Sequence, residues 1–218
     1  EAMITRKSYK FLLKLTKKQA KTLRLMLEEC RWLYNAFLEQ RILAYQELNT
    51  QLTKYDQLMM LPDMKVERSS LELVHSQVLQ NVGDRLDKAF QNFFRRVKNG
   101  EKPGFPRFRG MFRYSSFSFP QSGFSFTNHL LKLSKVGNIR VKMHREILGK
   151  IKTCTLVQNA SGSWHVVFSC EVDVSPLPEI DKAVGIDVGL ENFATLTDGK
   201  VIPNPRFYKR SEKVLAKE

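Results

Sequence analysis

Acidic residues are in short supply in this sequence: 22 Asp and Glu face 36 Lys and Arg, a formal net charge of +14. That imbalance points to a polyanionic partner. Cysteine is scarcer still, and Cys30, Cys154 and Cys170 form no CxxC pair. They read as buried apolar thiols of a reducing compartment, so a cytoplasmic location is expected. His75, His129, His144 and His165 are scattered without ligand spacing and predict no metal site. No apolar run approaches the roughly 20 residues that cross a bilayer, and no signal-peptide pattern opens the chain, so no membrane partner is expected. Glu1 and Ala2, ahead of Met3, read as additions to a native start.

What is present suits a folded protein. The 218 residues, 42% hydrophobic and 27% charged, allow one large domain or two small ones. The cations are clustered rather than spread. Residues 95–113 hold Arg95, Arg96, Lys98, Lys102, Arg107, Arg109 and Arg113 against Glu101 alone. Residues 132–152 hold Lys132, Lys135, Arg140, Lys142, Arg145, Lys150 and Lys152 against Glu146 alone. Two dense clusters favour contact with phosphates over a generally basic surface.

Ser8 to Leu15 alternates as a short strand, with Tyr9, Phe11 and Leu13 on one face. Thr16 can cap a long helix whose stripe of Leu23, Leu27, Cys30, Tyr34, Phe37, Ala44 and Leu48 runs to about Asn49. A less regular stretch over residues 50–68 precedes a second helix, capped by Ser69 or Ser70 and ended by Asn99-Gly100. The pair predicts an antiparallel helical hairpin. After Gly100, short segments over 114–119, 123–126, 130–133, 138–143, 150–158 and 164–172 are separated by Gly-, Pro- and Asn-bearing turns. They predict an antiparallel β-domain, read as a barrel. The isolated first strand is expected to join it, which makes the helices an insertion and the fold class α+β. Ser175-Pro176-Leu177-Pro178 reads as a stiff linker.

Beyond the linker, Ala183 to Leu190 reads as a near-continuous apolar strand carrying Asp187, followed by a strand over Phe193–Thr197, a turn at Thr197–Lys200 and a basic helix from about Phe207. An aspartate within an apolar strand loses hydration unless something compensates, and a divalent cation does so well. Capping of a turn before Gly189 is the plainer reading of the same residue. The order strand, Asp, Gly, strand, polar hairpin and helix is that of an opening RNase H-like nuclease domain, whose two-metal chemistry needs three or more carboxylates. The final helix reaches Glu218 without a terminating Gly, Asn or Pro, which reads as a cut chain.

Three ordered motifs then resemble one family. Val184-Gly185-Ile186-Asp187-Val188-Gly189-Leu190-Glu191-Asn192-Phe193-Ala194 is similar to the opening of the RuvC-like domain in TnpB/OrfB insertion-sequence nucleases. Cys30-Arg31-Trp32-Leu33-Tyr34-Asn35-Ala36-Phe37-Leu38 resembles that family's first-helix motif. Phe93-Phe94-Arg95-Arg96-Val97-Lys98 followed by Gly104-Phe105-Pro106-Arg107-Phe108-Arg109 resembles its helix-to-wedge junction, and Asn204-Pro205-Arg206-Phe207 also fits. The resemblance implies an RNA-guided DNA endonuclease with the plan of type V CRISPR effectors. Its wedge-type antiparallel β-barrel (1–16 and 100–178) would carry an inserted helical recognition lobe (17–99), followed by the start of an RNase H-like (RuvC-like) nuclease domain (179–218). The implied partners are a guide RNA and double-stranded target DNA beside a short adjacent motif. Asp187 carries over as the first catalytic, metal-ligating carboxylate, with Mg²⁺ as cofactor. The family's remaining acidic residues and zinc ribbon lie beyond Glu218, so no zinc is implied in this portion and this chain alone is expected not to cut DNA.

The remaining candidates have two readings each. Arg107 and Arg109, interleaved with Phe105 and Phe108, suit phosphate contact and base stacking, while the two rings equally suit a core. Arg31 and Asn35 lie four apart on a helix flank where a groove could be read. Ser76, Gln77, Gln80 and Asn81 form a polar face whose amides could read adenine edges, or an ordinary solvated face. Tyr114, with Ser116 and Ser118, could touch the same duplex, and Lys142 joins the second basic cluster. Two other functions share these features: an RNA-guided repressor that binds without cutting, and a conventional helix-turn-helix DNA-binding protein that needs no RNA.

Overall fold

The computed structural model describes residues 3–175, 178, 181 and 183–216. They form two compact units that divide after Ser175. The expected linker overlaps that division, and its Pro176 and Leu177 lie outside the described residues. No helix among the described residues is long and apolar enough to cross a membrane.

The first unit is built on a seven-stranded antiparallel sheet of order β2-β6-β7-β1-β5-β4-β3. Its strands are β1 (Met3–Lys14), β2 (Ser116–Phe119), β3 (Phe124–Thr127), β4 (Leu130–Leu133), β5 (Gly137–Lys142), β6 (Lys150–Gln158) and β7 (Trp164–Val174). β1 runs longer than its alternating core suggests and lies between β7 and β5, with Tyr9 opposite Phe168, Phe11 opposite Val166 and Leu13 opposite Val141. Period-2 alternation turns Tyr9, Phe11 and Leu13 into the core, where Phe117, Phe119, Trp164 and Phe168 meet them. The sheet curls until it is nearly closed rather than forming a continuous barrel ladder. Its edge strands β2 and β3 meet through the turn at residues 120–123 and the Phe119–Phe124 ring contact at 6.4 Å. Gly123 makes that turn possible: its φ is +86°, and a Cβ there would lie 2.9 Å from both the His75 and Phe119 rings.

The helices lie between β1 and β2 in sequence. α1 (Lys17–Leu48) opens with a capping box: Gln19 N–H donates to Thr16 Oγ1 (3.2 Å) and Thr16 N–H donates to Gln19 Oε1 (3.0 Å). It ends at Asn49 in the left-handed region. The stretch expected to be irregular instead contains α2 (Lys54–Met59), with its own Thr53–Asp56 capping box, and α3 (Leu61–Glu67), with Pro62 in its first turn. The second long helix does not start at Ser69 or Ser70. Residues Ser69–Leu73 form a 3-10 turn, Val74 is extended, and α4 (Ser76–Lys98) begins after His75, whose Nδ1 accepts from Gln77 N–H. Leu71 and Val74, on either side of Glu72 and Leu73 at this break, are both buried in the core.

α1 and α4 also fail to form the expected antiparallel hairpin. Phe37 packs by Gly83, Arg41 bonds Asp87, and Tyr45 shares a pocket with Phe93 and Phe94, so the two helices advance together. α2, α3 and the 3-10 turn carry the chain back between them. A half-buried ion pair holds that return. Arg68 donates from Nε (2.6 Å) and Nη2 (2.9 Å) to the carboxylate of buried Glu29 and stacks 4.5 Å above the Trp32 ring.

The second unit has β8 (Ile186–Asp187), β9 (Asn192–Leu196) and β10 (Val201–Pro203) in the order β10-β9-β8, then α5 (Phe207–Leu215). The apolar strand expected over 183–190 is reduced to two paired residues. The chain turns at Gly189 and Leu190 toward β9, and Val184, Ile186, Val188 and Leu190 are exposed. Cys30, Cys154 and Cys170 are buried and free, and burial pushes the Cys30 thiol up to about 12.

Glu29→Ala strands the Arg68 guanidinium against α1 and lowers stability in urea unfolding by about 2 kcal/mol. Adding Arg68→Ala costs little more, since the pair acts as one unit. An unchanged midpoint for Glu29→Ala contradicts this role.

Candidate nucleic-acid interface

α4 ends in a concentrated basic turn, with Arg95, Arg96 and Lys98 exposed, and Asn99 caps it. Pro103 and Pro106 keep the following segment out of helix, so residues 99–115 cross to β2 as an irregular loop. This loop is fixed to α1 by side chains. Asn35 Nδ2 donates to the Arg109 carbonyl (3.0 Å) while Arg109 N–H donates to Asn35 Oδ1 (2.8 Å), a two-way bond to one peptide. Arg31 Nη1 adds a third bond to the same carbonyl at 3.1 Å, and its Nε and Nη2 engage Glu28. Arg31 and Asn35, expected to contact nucleic acid, therefore spend their polar atoms within the fold. They position the loop.

Arg109 projects from this clamp with its guanidinium 5.5 Å from the Tyr34 ring centre. Arg113 sits in a turn closed by its own N–H on the Gly110 carbonyl. Tyr114 is a correction: its ring is buried against Tyr34 (6.1 Å), beneath Arg85 (5.8 Å), and cannot reach a duplex. Burial pushes its phenol far up, with Cys30 adding to the effect and Arg85 opposing it. Arg85, which sequence reasoning missed, connects α4 to the sheet edge. Its Nη1 donates to the Ser116 carbonyl (2.6 Å), Nη2 to Ser118 Oγ (2.9 Å) and Nε to Asn81 Oδ1 (3.2 Å). Only its spacing of four from Asn81 and its place between Val82 and Leu86 marked it in the sequence. Tyr34, Ala89, Arg85, Arg109, Arg113 and Tyr114 border a cavity of about 300 Å³.

The polar face of α4 is largely a seam. Gln77 Oε1 accepts from Ser122 N–H at 2.8 Å, Asn81 Oδ1 accepts from Arg85, and Ser76 Oγ meets Lys65 Nζ at 3.5 Å. Gln80 is exposed. Phe105 is half-exposed and edge-on to Phe90 (5.6 Å) and Phe93 (5.4 Å), while Phe108 is exposed, so neither ring is core.

Among the described residues no acidic side chain pairs with Arg95, Arg96, Lys98, Lys102, Arg107, Arg109 or Arg113. Lys142 lies exposed on the outer sheet face, opposite Leu12, and Arg140 faces Lys14 across the same ladder. Lys10 and Lys14 thus extend the second cluster, a juxtaposition that strand register creates and sequence spacing hides. Lys152 is the exception, paired with Glu171 at 2.9 Å.

Asp187 belongs to the second unit. It is exposed and opposite Thr195, so the loss of hydration expected for a strand aspartate is not observed. Thr197 Oγ1 nearby already accepts from Gly185 N–H at 3.0 Å. Among the described residues no three His, Cys, Asp or Glu side chains converge, so this donor set does not fit a two-Mg²⁺ centre.

The OrfB_IS605 family, described as "Probable transposase", matches residues 166–218, and a family described as "Helix-turn-helix domain" matches residues 3–50. The latter residues fold here as β1 and α1, one strand and one helix, without the two-helix unit a helix-turn-helix reader requires. The chain is 28% identical over 214 residues to a protein of Escherichia coli strain K12 named "Putative RNA-guided DNA endonuclease InsQ", covering 96% of this chain and 52% of that one. It is 29% identical over 183 residues to a "Putative RNA-guided DNA endonuclease" of Streptomyces pristinaespiralis, covering 82% and 42%. The chain thus spans about half the length of the curated relatives it matches. A cryo-EM structure of a Cas12f1–sgRNA–target DNA complex aligns with 98% of this chain and 60% of its own, at 12% identity and a TM-score of 0.47.

Asn35→Ala removes both bonds to the Arg109 peptide and frees the loop. Limited trypsin digestion then cuts at Arg107, Arg109 and Arg113 several-fold faster than in the unaltered protein, at a stability cost of about 1–2 kcal/mol. Unchanged cleavage rates at these arginines contradict the clamp.

Proposed function

The chain belongs to the TnpB/OrfB family, and we propose that it is the RNA-guided DNA-binding portion of a transposon-encoded DNA endonuclease. It binds a guide RNA and double-stranded target DNA beside a short adjacent motif. The observation that carries this reading is the set of seven cations over residues 95–113, unpaired by acids among the described residues and displayed on the last turn of α4 and on the loop clamped to α1. Unpaired, closely spaced cations on a fixed support are suited to a row of phosphates, each contact releasing counterions. The relatives' names supply the class of nucleic acid. Arg95, Arg96, Lys98, Lys102 and Arg107 are assigned to phosphates, and Lys142 with its sheet-face neighbours Lys10, Lys14 and Arg140 to a second backbone contact. Of the candidate amides Gln77, Gln80 and Asn81, Gln80 is the exposed one and is assigned to base readout.

In this reading the sheet is the wedge (1–16 and 100–178), α1 to α4 the recognition lobe (17–99), and residues 179–218 the opening of an RNase H-like, RuvC-like domain. Asp187 contributes the first carboxylate of the nuclease centre. Two-metal phosphodiester cleavage needs three or more such ligands, so Asp187 would act only together with further carboxylates.

Charge reversal at Lys98, Lys102 and Arg107 together flattens the dependence of log affinity on log salt for structured RNA by about two to three. Affinity indifferent to ionic strength in the unaltered chain sinks the nucleic-acid reading. In the full-length protein, Asp187→Ala abolishes plasmid cleavage while a gel shift on the same guide and target stays nearly unchanged. Persistent cleavage removes Asp187 from catalysis, and joint loss of cleavage, binding and solubility makes it structural.

A further inference from the structure

We propose that the cavity between α4 and the loop before β2 is a receptor for one phosphate of the bound nucleic-acid backbone, contacted by Arg109 and Arg113, while Arg85, whose donors are engaged by Asn81, Ser116 and Ser118, adds its positive charge. The inference rests on the nucleic-acid reading above and adds to it a discrete, preorganised site. Three arginines border a single cavity of about 300 Å³, and no Asp or Glu is among its lining residues. Cations gathered without a counter-charge repel one another, and a buried aromatic floor of Tyr34 and Tyr114 strengthens any electrostatic interaction above it. Such an arrangement favours an anion between the arginines.

Arg85 and Arg109 are held by separate devices. Arg85 is anchored through Asn81, Ser116 and Ser118. The Arg109 peptide is pinned by Asn35 and Arg31, and its guanidinium lies over Tyr34. The Gly110–Arg113 turn fixes the backbone from which Arg113 extends. Rigid placement lowers the ordering cost of binding, and planar guanidinium forks match phosphate oxygens in pairs. A phosphate is favoured over the carboxylates of an acidic peptide because Arg107, Lys102, Lys98, Arg96 and Arg95 continue the unpaired positive charge back along the chain from the cavity. A sugar-phosphate backbone offers evenly spaced anions to such a row.

The test uses the whole chain with paired substitutions, Arg109→Gln/Arg113→Gln against the equal charge change Lys17→Gln/Lys18→Gln on the first turn of α1. Arg85 is left intact because it also holds β2, and thermal melting verifies that both variants fold. Oligonucleotides carrying one neutral methylphosphonate linkage at each successive position are then titrated. In the unaltered chain one position weakens binding by about tenfold or more. That penalty vanishes in the Arg109/Arg113 variant and persists in the Lys17/Lys18 control. A parallel melt in inorganic phosphate, at constant ionic strength, raises the melting temperature of the unaltered chain and not of the cavity variant. If oligonucleotides bind but no linkage loses its effect in the cavity variant, the receptor is overturned. Phosphate stabilisation with no such linkage overturns the nucleic-acid source and leaves a free-anion site. Tighter capture of an acidic peptide than of phosphate or oligonucleotide also overturns it. Failure of the unaltered chain to bind any oligonucleotide instead contradicts the function proposed above, and the phosphate melt still judges the cavity.

Discussion

The antiparallel ladder between β1 and β7 is the constraint on which the first unit depends. It pairs Met3 with Val174 and continues to Leu12 with His165, so the ends of the unit lie side by side at the centre of the sheet. Everything between must leave and return. α1 starts three residues after β1 ends, and Gln19, part of its capping box, also donates to the Asn138 carbonyl at 2.8 Å, tying the helix start to β5. α4 delivers the chain back to the sheet edge, where Arg85 fastens it to β2. The basic loop is the last part of this return. Its position therefore follows from a ladder whose partners are more than 150 residues apart, a non-local closure that is slow to form and hard to alter piecemeal.

Charge is handled in two ways in the same unit. Inside the helical region cations meet acids or rings. Arg68 meets Glu29 and Trp32, Arg41 meets Asp87, Gln57 and Phe90, and Lys54 meets Asp84. Glu171 on β7 bridges Lys152 and Arg6. The cations of the loop, and Lys10, Lys14, Arg140 and Lys142 on the outer sheet face, have no acidic partner among the described residues. A short supply of acidic residues does not require this segregation, since those present could have been scattered among the clusters. Leaving the cations of the loop and of the Lys10–Lys14–Arg140–Lys142 face without acids is what gives the positive field a direction.

Legibility followed the physics of each feature. The β1 alternation, the Thr16 cap and the Asn99-Gly100 terminus are local, and local patterning revealed them. The return path was harder to read. Residues 50–75 carry no strong period, and the parallel course of α1 and α4 depends on contacts such as Arg41 with Asp87 that spacing cannot indicate. Residue type showed that Arg31, Asn35, Gln77 and Asn81 are able to form strong hydrogen bonds, but not that their partners are the Arg109 peptide, Ser122 and Arg85. Tyr114 was misjudged for the same reason, since aromatic burial is decided by what packs above it. Asp187 was read from an apolar strand that is paired at only two residues. Phe105 and Phe108 looked like core and lie largely outside it, next to the cations they separate in sequence.

The central claim is that the clamped loop, rather than the protein's general basicity, meets nucleic acid. Hydrogen exchange measured by mass spectrometry on the chain with and without a saturating structured RNA, at near-physiological salt, addresses it directly. The account predicts slowed exchange concentrated in peptides spanning residues 95–116, with smaller protection on β1 and β5 around Lys14 and Arg140. Protection absent from residues 95–116, or spread evenly over all exposed segments, would contradict it.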